Sequence, residues 1–284
     1  MINFTLRNLR VFFKDKTAVF FSLLAVFVII GLYVLFLGDV WSASFSEVEN
    51  ARFIMDSWIM AGILAVTSFT TTMGAFGIMI EDRAKKITKD LVVSPIKTTS
   101  LVGGYILSSV IIGIVMSLVT LVLAEVYIII GGGELMGITT LIKVLGLILL
   151  ATFTNSAIVL FMVSFFDSLN AFSTASTVVG TLIGFLTGIY LPIGQLPTAI
   201  QWLIKLFPVS HAASLFRQVM MQAPLSVGFK DFPAEYVAGF KEFMGVTFSF
   251  NEYLVTPIIS VVILVVTGLL FYGLSVVKLS TKRN

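Results

Sequence analysis

The sequence has no cysteine, a single histidine and few charged residues. Only 12% of its 284 residues are Asp, Glu, Lys or Arg, where a soluble domain has about 25%. The lack of cysteine excludes a disulfide framework, a thiolate metal site and a cysteine nucleophile, and one histidine leaves little for zinc. Phosphate-binding loops, Gly-x-Ser-x-Gly elbows and His-Glu-x-x-His motifs are also absent from the sequence. We therefore expect no enzyme active site, no nucleotide-binding site and no bound cofactor in this chain.

Apolar side chains dominate what is present. They make up 58% of the residues, including 26 Phe, and the mean hydropathy is +1.05. One compact core cannot hide this much apolar surface, so a water-soluble globule is excluded and lipid is the expected solvent. The net charge of +3 comes from basic residues that are segregated along the chain. That distribution predicts contact with membrane lipids and no nucleic-acid partner.

Six apolar stretches are long enough to cross about 30 Å of hydrocarbon as helices. They cover residues 18–37, 57–80, 101–130, 140–166, 170–191 and 253–277. The predicted fold is an all-α integral membrane protein, with residues 1–284 forming a single transmembrane domain. The small residues Ser42, Ala43 and Ser44 would suit cleavage of a signal peptide, but 20 apolar residues exceed a signal core of about 7 to 15. A retained first helix is favoured.

The charges are distributed unequally between the two sides of these spans. Twelve of the 18 basic residues lie in the amino-terminal segment, the loop after the second span and the tail. The first two loops of the opposite face are mainly acidic. The positive-inside rule therefore predicts that both termini are cytoplasmic and that the chain crosses the cell membrane several times.

Residues 1–16 show a two-sided helical pattern. An apolar stripe consists of Ile2, Leu6, Leu9 and Phe13. A mainly basic stripe runs beside it and consists of Asn3, Arg7, Arg10 and Lys14. The pattern predicts an interfacial helix whose Arg7, Arg10 and Lys14 reach lipid phosphates. The alternative is a basic flank that only fixes topology.

The loop of residues 81–100 is dense in both signs of charge. It also carries Ala84, Ile87 and Leu91 at helical spacing before Pro95. A solvated turn between two spans needs neither feature. The loop is better explained as a short helix that offers a docking surface to a cytoplasmic partner.

Small and hydroxyl-bearing residues cluster in the second and fifth spans. Thr67, Thr71, Thr177, Gly180 and Gly184 belong to these clusters. They predict either close helix packing or a weakly polar path between the two helices. Glu125 is the only carboxylate inside a predicted span, and it either serves proton coupling, snorkels to the interface or pairs with a residue such as Lys143.

Residues 192–252 connect the last two spans on the external side. A short apolar helix before Pro208 and an apolar stripe after it predict a re-entrant segment that caps the bundle. His211 is expected to be a structural hydrogen-bonding group.

In this order of parts, the chain resembles the ABC-2 type permeases, the membrane subunits of ABC transporters with a subfamily G-like architecture. Three pieces carry the resemblance. They are the amphipathic start from Leu6 to Asp15, Glu81-Asp82-Arg83 followed by residues 89–95 and Gly103-Gly104, and Leu191-Pro192 with Leu196-Pro197 and residues 207–217.

The resemblance implies that residues 83–91 form a coupling helix in a groove of an ATPase subunit. The implied ATPase contacts are Glu81, Asp82, Arg83, Lys86, Ile87, Asp90 and Leu91, with Asp167 as a second contact. It also implies a substrate path beside Thr67, Thr71, Thr177, Gly180 and Gly184. The implied partners are two ATPase copies, which bind ATP and Mg, and a second permease subunit in a homodimer or heterodimer.

The expected function is export of an amphipathic compound such as a drug, peptide antibiotic or lipid-linked molecule, powered by the separate ATPase. One alternative is a stand-alone secondary carrier or channel, which would need Glu125 as its coupling group. Another is a lipid-modifying membrane enzyme, which lacks the expected polar cluster. Residues 222–252 are long for the simplest members of the family, and their role is unassigned.

Overall fold

The computed structural model describes residues 1–33, 35, 48–87, 98–251 and 253–281. The end of the predicted first span, Ser42 to Ser44, and Asp90, Leu91 and Pro95 of the coupling loop lie outside these residues. The described chain contains eleven α-helices, one 3-10 turn at Ile193–Gln195 and a two-stranded antiparallel hairpin. The helices are α1 (Ile2–Lys14), α2 (Lys16–Leu32), α3 (Ala51–Ala84), α4 (Thr98–Ile130), α5 (Ile138–Val163), α6 (Leu169–Leu186), α7 (Thr198–Leu206), α8 (Pro208–Met220), α9 (Gln222–Gly228), α10 (Ala234–Phe243) and α11 (Pro257–Thr281); the strands are β1 (Ser249–Phe250) and β2 (Tyr253–Leu254).

Five of the described helices, α3, α4, α5, α6 and α11, are long and apolar enough to cross a membrane. They correspond to the second to sixth predicted spans, so the multi-pass helical architecture is confirmed. The first predicted span is helical over α2. The exact count of six spans stays a prediction, because part of that first span lies outside the described residues.

Helix α3 is longer than the sequence predicted. It has 34 residues and a length of about 50 Å, and it extends the predicted span at both ends. Charged side chains marked those ends in the sequence, but Asp56 pairs with Arg52 and Asp82 pairs with Arg7. Because the charges are compensated, the helix continues through them.

Helix α6, in contrast, ends five residues before the predicted boundary. Gly188 has a φ of +64°, and the amides of Gly188 and Ile189 donate to the carbonyls of Phe185 and Gly184, each over 3.0 Å. This is a Schellman motif, which requires the left-handed conformation that glycine adopts without strain.

Helix α3 is the centre of the bundle. It packs against α2, α4, α5, α6 and α8, and 83% of its most apolar window is buried, compared with 17% for α6 and 22% for α11. Polar contacts fix some of these neighbours, since Asn155 on α5 donates to the Ser68 hydroxyl over 2.8 Å. Hydrogen bonds of this kind join helices where lipid offers no hydrophobic drive for association.

Helix α1 packs along α4. The face of α1 that is buried in this contact is not the one that the sequence predicted. Phe4, Thr5, Asn8 and Phe12 are its buried residues, and the Phe4 ring meets Tyr105 edge-on with 4.9 Å between the ring centroids. The predicted apolar stripe is instead on the surface, with Ile2, Leu6 and Phe13 exposed. The helix therefore has three faces, one protein-facing, one apolar and exposed, and one basic.

The region between α6 and α11 folds into short helices and the hairpin. Helices α7, with 9 residues, and α8, with 13, are both too short to span a membrane. Ten of the 13 residues of α8 are buried, and the helix packs between α3, α5 and α11. Its placement as a re-entrant segment in the outer leaflet stays a prediction.

The bundle has two distinct ends. The side chain of Met1 packs on Gly103, and the Lys278 ammonium lies 4.8 Å from the centroid of the Phe165 ring. Helix α1 and the last turn of α11 thus lie at the end of the bundle where α3 finishes. Gly228 packs against Glu49 at the start of α3, which places the short helices at the opposite end.

Candidate functional site

A groove of about 700 Å³ opens between α2, α3 and α6. One wall is apolar and comes mainly from α2, including Phe21, Leu24 and Val28. The opposite wall comes from α6 and carries mainly small and hydroxyl-bearing residues, among them Ser173, Ser176, Thr177, Gly180 and Thr181. The groove is therefore amphipathic across its width.

Two hydroxyl groups on the α6 wall are bonded to their own helix, whereas the buried Ser176 hydroxyl has no hydrogen-bond partner among the described residues. Thr177 donates to the Ser173 carbonyl over 3.0 Å, and Thr181 donates to the Thr177 carbonyl over 2.9 Å. Such bonds satisfy the hydroxyl protons and leave the oxygen lone pairs facing the groove. The wall therefore offers weak acceptors, the Ser176 hydroxyl and no charge, which suits a ligand with modest polarity.

Two of the five predicted path residues, Thr177 and Gly180, line this groove. Thr67 and Thr71 do not, because both are fully buried in the bundle. The Thr67 hydroxyl donates to the Ile63 carbonyl over 2.8 Å and lies 3.5 Å from the Thr120 hydroxyl on α4. Both threonines are therefore packing residues of the bundle and do not belong to the groove wall.

The α3 residues that line the groove are neighbours of the predicted ones in the sequence. Thr70, Met73 and Gly74 line it. Gly184, the fifth predicted path residue, is covered by the Tyr190 ring, and a Cβ built at Gly184 would lie 2.2 Å from that ring. Tyr190 lines the groove in its place.

At the end of the bundle where α1 lies, Asp82 is the centre of a polar cluster. Its carboxylate accepts two hydrogen bonds from Arg7, over 2.5 and 2.8 Å, and a third from the Tyr105 hydroxyl over 2.6 Å. These hydrogen bonds to Asp82 raise the pKa of Arg7. Asp82 is buried and joins α1, α3 and α4, so it does not form part of a free docking surface.

Arg83 is also turned towards the protein. Its guanidinium donates to the carbonyls of Phe166, over 3.1 Å, and Val163, over 3.4 Å, at the carboxyl end of α5. A cation at this position satisfies the last carbonyls of a helix and complements its dipole. Asp167 lies close enough to interact electrostatically with the Arg83 charge. Arg83 and Asp167 are thus brought together, as parts of one helix junction.

The predicted start of the coupling helix at Arg83 is wrong. Helix α3 runs without a break to Ala84, and the chain then turns at Lys85 and Lys86, where Lys86 has a φ of +61°. Glu81 forms an ion pair with Lys85, and Lys86 is exposed. Glu81, Lys86 and Ile87 stay predicted contacts of the ATPase, while Asp90 and Leu91 lie outside the described part of the chain.

The remaining polar residues that the sequence singled out are Arg10, Lys14 and Glu125. Arg10 and Lys14 are exposed on α1, where they can reach lipid phosphates. Glu125 accepts a hydrogen bond from the Met136 amide over 3.1 Å, at the edge of the bundle opposite α1. The pair between Glu125 and Lys143 is not formed.

Sequence reasoning missed Arg217 on α8. Its side chain is fully buried, lies 4.6 Å from the centroid of the Trp58 ring and donates to the carbonyls of Gly188, over 3.0 Å, and Gly245, over 3.4 Å. Both carbonyls follow the carboxyl ends of helices, whose dipoles stabilise a cation. A signal was present, since Arg217 is the only charged residue between Lys205 and Lys230.

His211 on α8 is a structural group, as predicted from its isolation. Its Nε2 donates to the Lys205 carbonyl over 2.9 Å, and its Nδ1 accepts from the Ser260 hydroxyl over 3.1 Å. Burial lowers the pKa of His211. Among the described residues, no group of three or more His, Asp or Glu side chains could hold a metal ion.

A family model described as "ABC-2 family transporter protein" matches residues 42–277, which include the α3 and α6 walls of the groove. No curated protein matches the chain. The family match and the five membrane-spanning candidates confirm the predicted family, although the G-like subfamily stays a prediction. The chain belongs to the ABC-2 family, and it is a multi-pass membrane permease of an ABC transporter.

Proposed function

We propose that this permease exports an amphipathic compound and that the groove between α2, α3 and α6 is the substrate path. The groove carries the proposal because it joins an apolar wall and a hydroxyl-bearing wall in one space of about 700 Å³. Ligand sites of this size hold compounds of drug-like dimensions. A drug, a peptide antibiotic or a lipid-linked molecule would meet both walls at once.

A second permease subunit would complete the path. Helix α6 is only 17% buried in this chain, and Thr174, Thr177 and Thr181 are exposed on it. Hydroxyl groups and small residues on a membrane helix are typical of contacts between helices rather than with lipid. A homodimer or a heterodimer would cover this face and enclose the groove.

Two copies of a separate ATPase would supply the energy. The family as a whole works with ABC ATPase subunits, and this chain has no phosphate-binding loop of its own. We place the ATPase contact at the turn after α3, with Glu81, Lys86 and Ile87 facing it. Both termini would then be cytoplasmic. ATP and Mg bind the ATPase, and nucleotide moves the permease only if it binds one of the two conformations more tightly.

Two matched glycine substitutions test the path. Gly180 lines the groove and Gly146 is exposed on α5, and a Cβ at either position would meet nothing within 4 Å. Gly180→Leu and Gly146→Leu should both fold, because leucine favours a helix over glycine by roughly 0.5–1 kcal/mol. Only Gly180→Leu fills the groove.

The readout is ATP-driven uptake by inside-out vesicles that contain the permease with its ATPase. The test compounds are amphipathic ones to which expression of the pair confers resistance. We expect Gly180→Leu to lower uptake at least about tenfold, which corresponds to 1.4 kcal/mol, while Gly146→Leu leaves it unchanged. Equal uptake by the two variants would remove the groove from the path.

A further inference from the structure

The external segment that follows α8, which the family resemblance left without a role, builds a second pocket. It has a volume of about 460 Å³ and lies between α8, α9 and α10. It shares no lining residue with the groove and lies at the opposite end of the bundle from α1. The pocket is therefore a separate site on the external side of the proposed topology.

The floor of this pocket is apolar and well supported. Leu225, Phe229, Val237 and Val246 contribute to its lining. Phe229 is held by aromatic neighbours, and its ring centroid lies 4.7 Å from that of Phe240. Three of the aromatic residues that the sequence concentrates in this segment, Phe229, Phe232 and Phe240, thus form a fixed support beneath the site.

The polar lining carries one sign of charge. Lys241 is the only charged residue among the lining residues, and neither Lys241, Gln222 nor Thr247 has a side-chain partner in the described part of the chain. The amide nitrogen of Gln218 is already used, because it donates to the Ser214 hydroxyl over 3.0 Å and to the Val246 carbonyl over 2.9 Å.

The acidic residue next in sequence does not neutralise this charge. Glu242 accepts a hydrogen bond from Ser249 and pairs with Lys205, with 3.6 Å between the charged atoms. The pocket thus offers an unpaired ammonium group, an amide and a hydroxyl above an apolar floor. Pockets that combine an apolar lining with a few polar groups are typical of small-molecule sites.

We propose that this pocket binds a small amphipathic carboxylate on the external side of the membrane. The carboxylate would pair with Lys241 and accept hydrogen bonds from Gln222 and Thr247, while the apolar part would lie on Phe229 and Leu225. The assignment does not depend on the direction of transport or on the groove.

The charge of the site can be measured directly because the protein has no cysteine. Thr247→Cys places one thiol in the pocket of the full chain in lipid nanodiscs. The thiol is modified in parallel with an anionic and a cationic methanethiosulfonate reagent, sulfonatoethyl and trimethylammonioethyl. We expect Lys241→Gln to reduce the ratio of anionic to cationic rates at least about twofold, because the lysine charge attracts the anionic reagent and repels the cationic one. Lys230→Gln, an exposed lysine outside the lining, removes the same charge and should leave the ratio unchanged.

Ligand binding is tested by saturation-transfer NMR on nanodiscs that contain the chain without the cysteine substitution, because Thr247→Cys removes a proposed hydrogen-bond donor. The probes are N-acetylphenylalanine and N-acetylphenylalaninamide, which differ only in the carboxylate. We expect millimolar binding of the acid with at least about tenfold preference over the amide, and loss of that preference in Lys241→Gln. Val237→Trp, which fills the pocket, should remove binding of the acid. Equal binding of the two probes, no binding of the acid, or an unchanged preference in Lys241→Gln would each overturn the proposal.

Discussion

Replacing Arg7 with methionine should destabilise the bundle although the residue lies at its edge. The substitution keeps an apolar stem and removes the guanidinium that donates two hydrogen bonds to Asp82. Asp82 is the more deeply buried partner, with 4% of its side chain exposed compared with 36% for Arg7. The variant therefore leaves a buried carboxylate with Tyr105 as its remaining hydrogen-bond donor.

The expected magnitude follows from this unequal burial. Removing one partner of a fully buried ion pair costs about 3–5 kcal/mol, because the other charge stays without compensation. Solvent screening at the half-exposed Arg7 reduces the expected loss to about 2 kcal/mol. For a chain of 284 residues, that loss corresponds to a decrease of about 3–4 °C in the unfolding temperature.

The assay is thermal unfolding in nanodiscs, followed by circular dichroism. Lys85 and Glu81 form a matched control pair, because their charged atoms are also 2.5 Å apart but their side chains are 63% and 44% exposed. Lys85→Met should therefore cause no measurable change. In Arg7→Met, the further change Asp82→Asn should recover part of the loss, because it removes the unpaired charge. An unchanged unfolding temperature in Arg7→Met, or an equal loss in Lys85→Met, would refute the burial argument.

Three further predictions concern other parts of the molecule. The lowered pKa of His211 favours the neutral ring in the folded state, so its contribution to stability is present above about pH 6.5 and is lost as the pH falls below that value. His211→Gln should accordingly flatten the decline in unfolding temperature between about pH 7 and 5, and an unchanged slope would contradict this. Gly245→Ala should cost about 1–2 kcal/mol in chemical denaturation, since its φ is +66° and a Cβ there would lie 2.4 Å from an isoleucine side chain. Gly239→Ala, with open space around it, is the control and should be neutral or stabilising. Lys86→Glu should weaken co-purification of the ATPase without altering unfolding. Lys16→Glu makes the same charge change on α2 and should preserve co-purification. Retention of the ATPase by both variants would remove Lys86 from the contact.

The spans could be predicted from the sequence because hydrocarbon thickness sets both their length and their composition. Their ends could not. In the sequence, Asp56 and Asp82 resemble span boundaries. In the structure, Asp56 pairs with Arg52 of the same helix, and Asp82 pairs with Arg7 of α1. The Arg7–Asp82 pair joins two helices and cannot be seen in a hydropathy profile. The Arg52–Asp56 pair is an i,i+4 pair, but a hydropathy profile counts its two charges without pairing them, so α3 exceeded its predicted bounds at both ends.

The sequence pointed to the two helices that form part of the groove, but not to all of the residues that line it. The hydroxyl clusters lie on α3 and α6, but α3 is buried nearly all round, so no hydrophobic face distinguishes Thr70 from Thr67 and Thr71. The α2 wall had no signal, because its groove-lining residues are as apolar as those that face lipid. Arg83 was predicted to face a partner from its charge alone, and only the position of the α5 carboxyl end explains why it turns inward.

The central claim is that a separate ATPase opens and closes the groove of this permease. It is tested most directly with Thr181→Cys, a single exposed thiol on the groove wall of an otherwise cysteine-free chain. The rate of thiol modification is measured in nanodiscs with and without ATP and Mg, for the permease alone and for the permease with its co-purified ATPase. The account predicts a change in rate on adding ATP only when the ATPase is bound. A rate that does not change with ATP in the complex, or that changes with ATP in the isolated chain, would contradict it.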